Sequence, residues 1–206
     1  MKITAVRVLI AVNVAVYLLE GHSYGLLDKF ALWPLQPIDG RSHFHYWQIL
    51  TYAFLHDTQN IGFLPFSAHL LFNMWGLWVF GEFLENHVGP ERLLTCYFAS
   101  VITAALTQLL VPSWLGAPPS PTIGASGGVF GLLLAFALLF PRQKMLLLFL
   151  PVPIPAYAFV PIYAIVELYL GVTGSQAGVA HFAHLGGMVG SALVVLQWRL
   201  RAARQT

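Results

Sequence analysis

Five polar side chains interrupt stretches that are otherwise apolar: His69, Asn73, Ser126, His181 and His184. Polar groups inside long apolar stretches are costly in lipid and are functional candidates by default. Serine is a weak nucleophile until a base takes its proton, and neutral imidazole is the usual base near pH 7. The acyl intermediate then needs hydrogen-bond donors for its oxyanion. His69 and Asn73 are four residues apart, share one helix face, and offer an imidazole N–H and an amide NH2. Ser126 falls in the first turn of a helix, where backbone N–H groups lack partners and the dipole favours negative charge. These residue types suit acyl transfer through a serine and a histidine.

The elements that must position them are membrane helices. Among the 206 residues, 58% are apolar and only 9% are charged, against about 25% charged in soluble domains. Mean hydropathy is +0.72. Too few charges are present to cover a water-facing surface, and a net charge of +2 is no footprint for nucleic acid. An ordinary soluble enzyme and a disordered chain are excluded as well. The single cysteine, Cys96, permits no internal disulfide.

About 17–25 residues of helix cross the hydrocarbon core, and six segments qualify, near 3–19, 66–86, 91–111, 124–140, 153–169 and 179–198. The expected fold is therefore all-α: one six-helix membrane domain over 1–206, with a long outer loop at about 20–65. The N-terminal run lacks a small-x-small cleavage pattern and reads as a retained first span. Eight of the ten basic residues (Lys2, Arg7, Arg92, Arg142, Lys144, Arg199, Arg201 and Arg204) fall on one side if both termini are cytoplasmic. Four prolines between 151 and 161 predict that 145–152 is extended, with the fifth helix starting near Pro155 and held less firmly than its neighbours. Tyr46 to His56 is expected to form an interfacial helix.

Spans two, four and six then run in the same direction and end at Glu85, Arg142 and Arg199. His69 and Ser126 each lie 16 residues before their marker and His184 lies 15 before its own, which puts all three about 23–24 Å above the inner boundary. Asn13, Thr95, Thr103, Thr107 and Gln108 read as ordinary interhelical hydrogen-bonders. The small-residue faces Gly127/Gly131 and Gly186/Gly190 are expected to bring the serine and histidine helices together. Asp28, Asp39, Asp57 and Glu167 are assigned to outer loops or a rim. That leaves a Ser–His dyad with no third acid, its histidine oriented by packing against Phe130. His181 is an alternative base. Metal binding by His69, His181 and His184 is disfavoured because no carboxylate accompanies them, and neither a metal nor a cofactor is expected.

His69-Leu70-Leu71-Phe72-Asn73-Met74, Gly124-Ala125-Ser126-Gly127 and Ala183-His184-Leu185-Gly186-Gly187, in this order, resemble the motifs of the rhomboid family of intramembrane serine proteases. The resemblance implies that Ser126 is the nucleophile and His184 the general base, with His69, Asn73 and the Ser126 N–H forming the oxyanion site. It also implies a structural role for Gly81 and Glu85, a lateral gate at the fifth helix, and transmembrane proteins in the lipid bilayer as substrates. Three positions depart from the pattern. Gln48 follows Trp47 where arginine is frequent, Phe130 replaces a frequent tyrosine, and His56 lies thirteen rather than five residues before His69. The expected function is a serine endopeptidase cutting in or near transmembrane segments, with an inactive scaffold that binds such segments as the alternative. The compact size suggests a bacterial plasma membrane.

Overall fold

A computed structural model describes residues 3–22, 25–38, 40–58, 66–147, 150–175 and 178–205. The first helix, α1 (Ala5–Glu20), is followed by two short helices, α2 (Leu26–Phe30) and α3 (Gln48–Thr51). Next come α4 (Ala68–Gly76), α5 (Glu82–Val88), α6 (Pro90–Trp114) and α7 (Ser126–Leu139). A hairpin of β1 (Lys144–Leu147) and β2 (Leu150–Pro155) leads to α8 (Ala156–Thr173) and α9 (His181–Ala203). The fold is mostly helical as expected. The antiparallel hairpin, which pairs Lys144 with Pro155 and Met145 with Ile154, departs from all-α, as do the isolated bridges Leu32–Thr122 and Ile38–Arg41. It realises the extended segment that the prolines require, and the next helix starts immediately after Pro155. Two helices, Pro90–Trp114 and Ala156–Thr173, are long and apolar enough to cross a membrane, and Ser126–Leu139 is a shorter apolar one.

A π-helical turn, Leu77–Gly81, joins α4 to α5, so the second long segment runs from Ala68 to Val88. Its far end holds the start of α1. The Glu85 carboxylate accepts the backbone N–H groups of Ala5 (2.8 Å) and Val6 (2.9 Å), two donors that a helix start leaves unpaired. Gly81 has no room for a side chain, since a Cβ there would meet Val6 Cγ2 at 2.8 Å. Both residues are structural, as the family resemblance implies.

Helices α6, α7 and α9 form the centre, and their contacts are set by glycine. A Cβ on Gly187 of α9 would overlap the Gly127 carbonyl of α7. Gly186 and Gly190 instead face α6, against Thr107 and Thr103. The expected pairing of Gly186/Gly190 with the serine helix is thus corrected: three residues on from His184, Gly187 shares the histidine's face, whereas Gly186 is rotated toward α6. Thr95, Thr103 and Thr107 are not interhelical bonders, because each donates to the carbonyl four residues earlier in its own helix. Asn13 donates to Leu9 O of its own helix and also meets the Tyr97 hydroxyl of α6, an interhelical contact as expected. A buried Ser100–Ser191 hydroxyl pair (3.0 Å) does bridge α6 and α9.

The helix expected within 46–56 is shorter than that, consisting of α3 and a following 3-10 turn, Tyr52–Phe54. Gln48 is fully buried and supplies the anchor that the missing arginine would have provided. Its Oε1 accepts from the Trp33 and His45 N–H groups (3.3 and 3.1 Å), and its Nε2 donates to the Lys29 and His43 carbonyls (3.3 and 3.1 Å). A neutral amide carries donors and acceptors together, which a guanidinium cannot do. Gln48→Leu takes this partner from the Trp33 and His45 N–H groups and from the His43 carbonyl, while Lys29 O keeps the Trp47 Nε1–H, and should destabilise the protein by about 2–4 kcal/mol, read as a lower thermal midpoint in detergent. An unchanged midpoint would show that the loop is held elsewhere.

That anchored loop positions the chain entering α7. Leu32 and Thr122 exchange backbone hydrogen bonds (both 2.9 Å), and the Gly124 N–H donates to Tyr52 O (2.9 Å). The Tyr52 hydroxyl in turn donates to Val101 O of α6 (2.9 Å). This first loop therefore fixes where α7 begins.

Candidate active site

Helix α7 has only 14 residues, about 21 Å of helix. This is shorter than the hydrocarbon core, so its N-terminus need not reach an outer surface. Ser126 is its first residue. The Ser126 Oγ lies 2.9 Å from His184 Nε2, and His184 stands in the first turn of α9. Phe130, one turn beyond the serine, stacks on the His184 ring with centroids 4.0 Å apart and planes 8° apart. The expected packing of phenylalanine on imidazole is present, and the missing tyrosine hydroxyl is not needed for it.

The other nitrogen of His184 overturns the expected absence of an acid. His184 Nδ1 lies 2.9 Å from Glu167 Oε2, and His181 Nδ1 lies 2.7 Å from the same oxygen. Glu167 is 4% exposed, buried on the inner face of α8 rather than at a rim. A carboxylate can only accept, so both imidazoles donate through Nδ1–H and His184 Nε2 keeps its lone pair toward the serine. His181 therefore points to the acid. The reason Glu167 was misplaced is one of phase: periodicity is faint in a helix apolar on nearly every side, so it did not show which face turns inward. A usable signal was present, since Glu167 is the sole charged residue of α8 and faces a helix start bearing two histidines.

Glu167, His181 and His184 each offer one ligand atom, all within 4.8 Å of one another. A carboxylate thus does accompany two of the histidines, contrary to the sequence reading, while His69 is not in the group. The two N–H to Oε2 hydrogen bonds account for this approach, and a cation would have to displace both protons.

A cavity of roughly 890 Å³ opens beside the serine, lined by Ser126, His184, His69 and Asn73, with Phe72 and Trp75 of α4 and Tyr163 of α8 at its flanks. The Asp57 N–H donates to His69 Nδ1 (3.3 Å), which puts the ring proton on Nε2. Nε2 faces Gly124, where a Cβ would come within 2.7 Å of it; Gly124 also has φ +119°, a conformation open to glycine. Asn73 Nδ2 donates to His69 O (2.9 Å), leaving its second amide hydrogen for another acceptor. The Ser126 N–H belongs to the helix start, which has no intrahelical acceptor for it. His56 is fully buried with its ring 5.1 Å from that of His69. Burial first, and the facing His69 second, push its pKa down to about 3, so it packs as a neutral ring.

The model of the Rhomboid domain matches residues 43–200. Rhomboid protein 1, mitochondrial, of Saccharomyces cerevisiae is 36% identical over 58% of this chain and 34% of its own length. RHOMBOID-like protein 12, mitochondrial, of Arabidopsis thaliana is 31% identical over 80% of this chain and 48% of its own. Rhomboid protease GluP of Bacillus subtilis is 30% identical over 70% of this chain and 24% of its own. The chain thus spans half or less of the length of these relatives. Two of the three are mitochondrial by name, so the comparison gives no support to a bacterial plasma membrane in particular.

Proposed function

This chain belongs to the rhomboid family of membrane proteins, and from that premise we propose that it is a serine endopeptidase cutting in or near the transmembrane segments of membrane proteins. The observation that carries this reading is the 2.9 Å contact of Ser126 Oγ with His184 Nε2 at the wall of the cavity. In the first step Ser126 Oγ attacks the scissile carbonyl carbon while its proton passes to His184 Nε2. The carbonyl oxygen becomes an oxyanion facing His69 Nε2–H, the free Asn73 amide hydrogen and the Ser126 N–H. Collapse breaks the C–N bond, and His184 returns the proton to the leaving amine. Water, deprotonated by the same imidazole, then releases the acyl group and restores the serine.

Six helical crossings with both termini cytoplasmic make this arrangement work. The α4–α5 segment runs 21 residues and α9 runs 23, about 31 and 34 Å, enough to span. The short α7 sets its serine below the outer face, where water can enter from outside. The cavity flank lies between Phe72 and Trp75 of α4, both exposed, and Tyr163 of α8, and in this reading it is the side that meets lipid. An extended substrate backbone enters there, because a helical one keeps its carbonyls hydrogen-bonded.

Labelling with a fluorophosphonate in lipid tests the reading. Ser126 should become covalently modified in the wild type and lose at least about 99% of that reactivity in His184→Ala, in line with the cost of removing a base from a hydroxyl nucleophile. Labelling at another residue, or undiminished labelling without His184, would overturn it.

A further inference from the structure

Helix α8 is lightly seated. Its buried residues are Ala156, Val160 and Glu167, and residues such as Ile162, Ile165 and Tyr169 are more than 60% exposed. Among these three, Glu167 is the one that hydrogen-bonds another helix through its side chain. Burying a carboxylate is unfavourable unless donors meet it, and here two imidazoles converge on one oxygen. His181 holds the acid from one side while the acid holds His184 from the other.

We propose that Glu167 is the positioning residue for the His184 proton, and that because it rides on α8 the base is held in its Nδ1–H tautomer only while α8 is docked against α9. This deepens the protease reading above and rests on it. With Oε2 accepting Nδ1–H, the imidazole proton is excluded from Nε2, and Nε2 can take the Ser126 proton. When α8 moves outward to admit a substrate, the acceptor leaves with it. The imidazole can then carry its proton on either nitrogen, and the Nε2–H form cannot act as a base. Re-docking of α8 around the substrate restores the productive form. Stacking on Phe130 keeps the ring plane through the cycle, so the acid chooses the tautomer and not the ring orientation.

The test uses the full chain reconstituted in lipid, with kcat and KM read separately on a transmembrane reporter and the His184 nitrogens read by 15N NMR. Glu167→Leu should lower kcat about 100-fold or more, as expected for loss of the group that fixes a catalytic tautomer, with KM within about threefold. It should also convert His184 from the Nδ1–H form to a mixture. Glu167→Gln keeps a neutral acceptor and should fall in between. Val160→Phe overpacks the seat of α8 without touching the dyad, and it should lower kcat and the Nδ1–H fraction together. Wild-type kcat in a folded Glu167→Leu, or an unchanged His184 tautomer, would overturn the positioning role. A fall in kcat with the tautomer intact in Val160→Phe would overturn the coupling to α8. Absence of cleavage and labelling in the wild type would instead sink the protease reading, while the tautomer measurement would still decide the role of Glu167.

Discussion

Ser126→Ala should remove cleavage of a transmembrane reporter by at least about 10⁴-fold, the scale set by deleting the nucleophile of a serine protease, while the protein still folds. The second half of that expectation follows from the surroundings. Ser126 contributes one described side-chain hydrogen bond, to His184 Nε2, and its loss costs about 1 kcal/mol. His184 keeps its ring plane through the stacking on Phe130 and its tautomer through Glu167, neither of which the substitution touches. The start of α7 depends on the Gly124 N–H to Tyr52 O bond and on the Leu32–Thr122 pair, which the substitution does not touch. Thermal midpoint and cleavage should therefore separate cleanly. Cleavage persisting in Ser126→Ala would assign the chemistry elsewhere. Parallel loss of folding and activity would mean that the serine is chiefly structural.

The juxtaposition of Ser126 and His184 was readable in the sequence because rigid rods convert residue counts into depth. Each lies 15 or 16 residues before a charged residue that ends its apolar stretch, and helical rise leaves little freedom in that count. Glu167 was not readable in the same way. Four prolines precede or interrupt α8, and counts through Pro151, Pro153 and Pro155 fix neither where the helix starts nor how it is turned. An all-round apolar helix carries no periodic stripe to supply the missing phase. The first loop was opaque for a different reason. Gln48 works through four backbone groups spread over residues 29–45, and backbone partners leave no mark in a sequence. The loss of arginine after Trp47 was visible, while the substitute anchor became visible only with coordinates.

The backbone-to-backbone meeting of α7 and α9 at Gly127 and Gly187 leads to the second large effect. Gly187→Ala should both destabilise the protein and disconnect the dyad. A Cβ on Gly187 would overlap the carbonyl oxygen of Gly127, and backbone atoms cannot rotate away as a flexible side chain can. The two helices must separate by about an ångström or more before the contact becomes ordinary, and overpacking of this kind costs about 1–3 kcal/mol, sometimes more. His184 and Ser126 sit one turn or less from that contact, one on each helix, so the separation falls on the 2.9 Å distance between them. Beyond about 3.5 Å the proton is no longer shared. Fluorophosphonate labelling should drop about 100-fold or more even under conditions where the variant remains folded, reflecting transfer across a broken contact. Val189→Ala, two residues away at a position that is 54% exposed, should leave both labelling and thermal midpoint close to wild type. Full labelling of Gly187→Ala with an unchanged midpoint would mean that α7 and α9 do not meet backbone to backbone, and that the Ser126–His184 contact does not depend on such an approach.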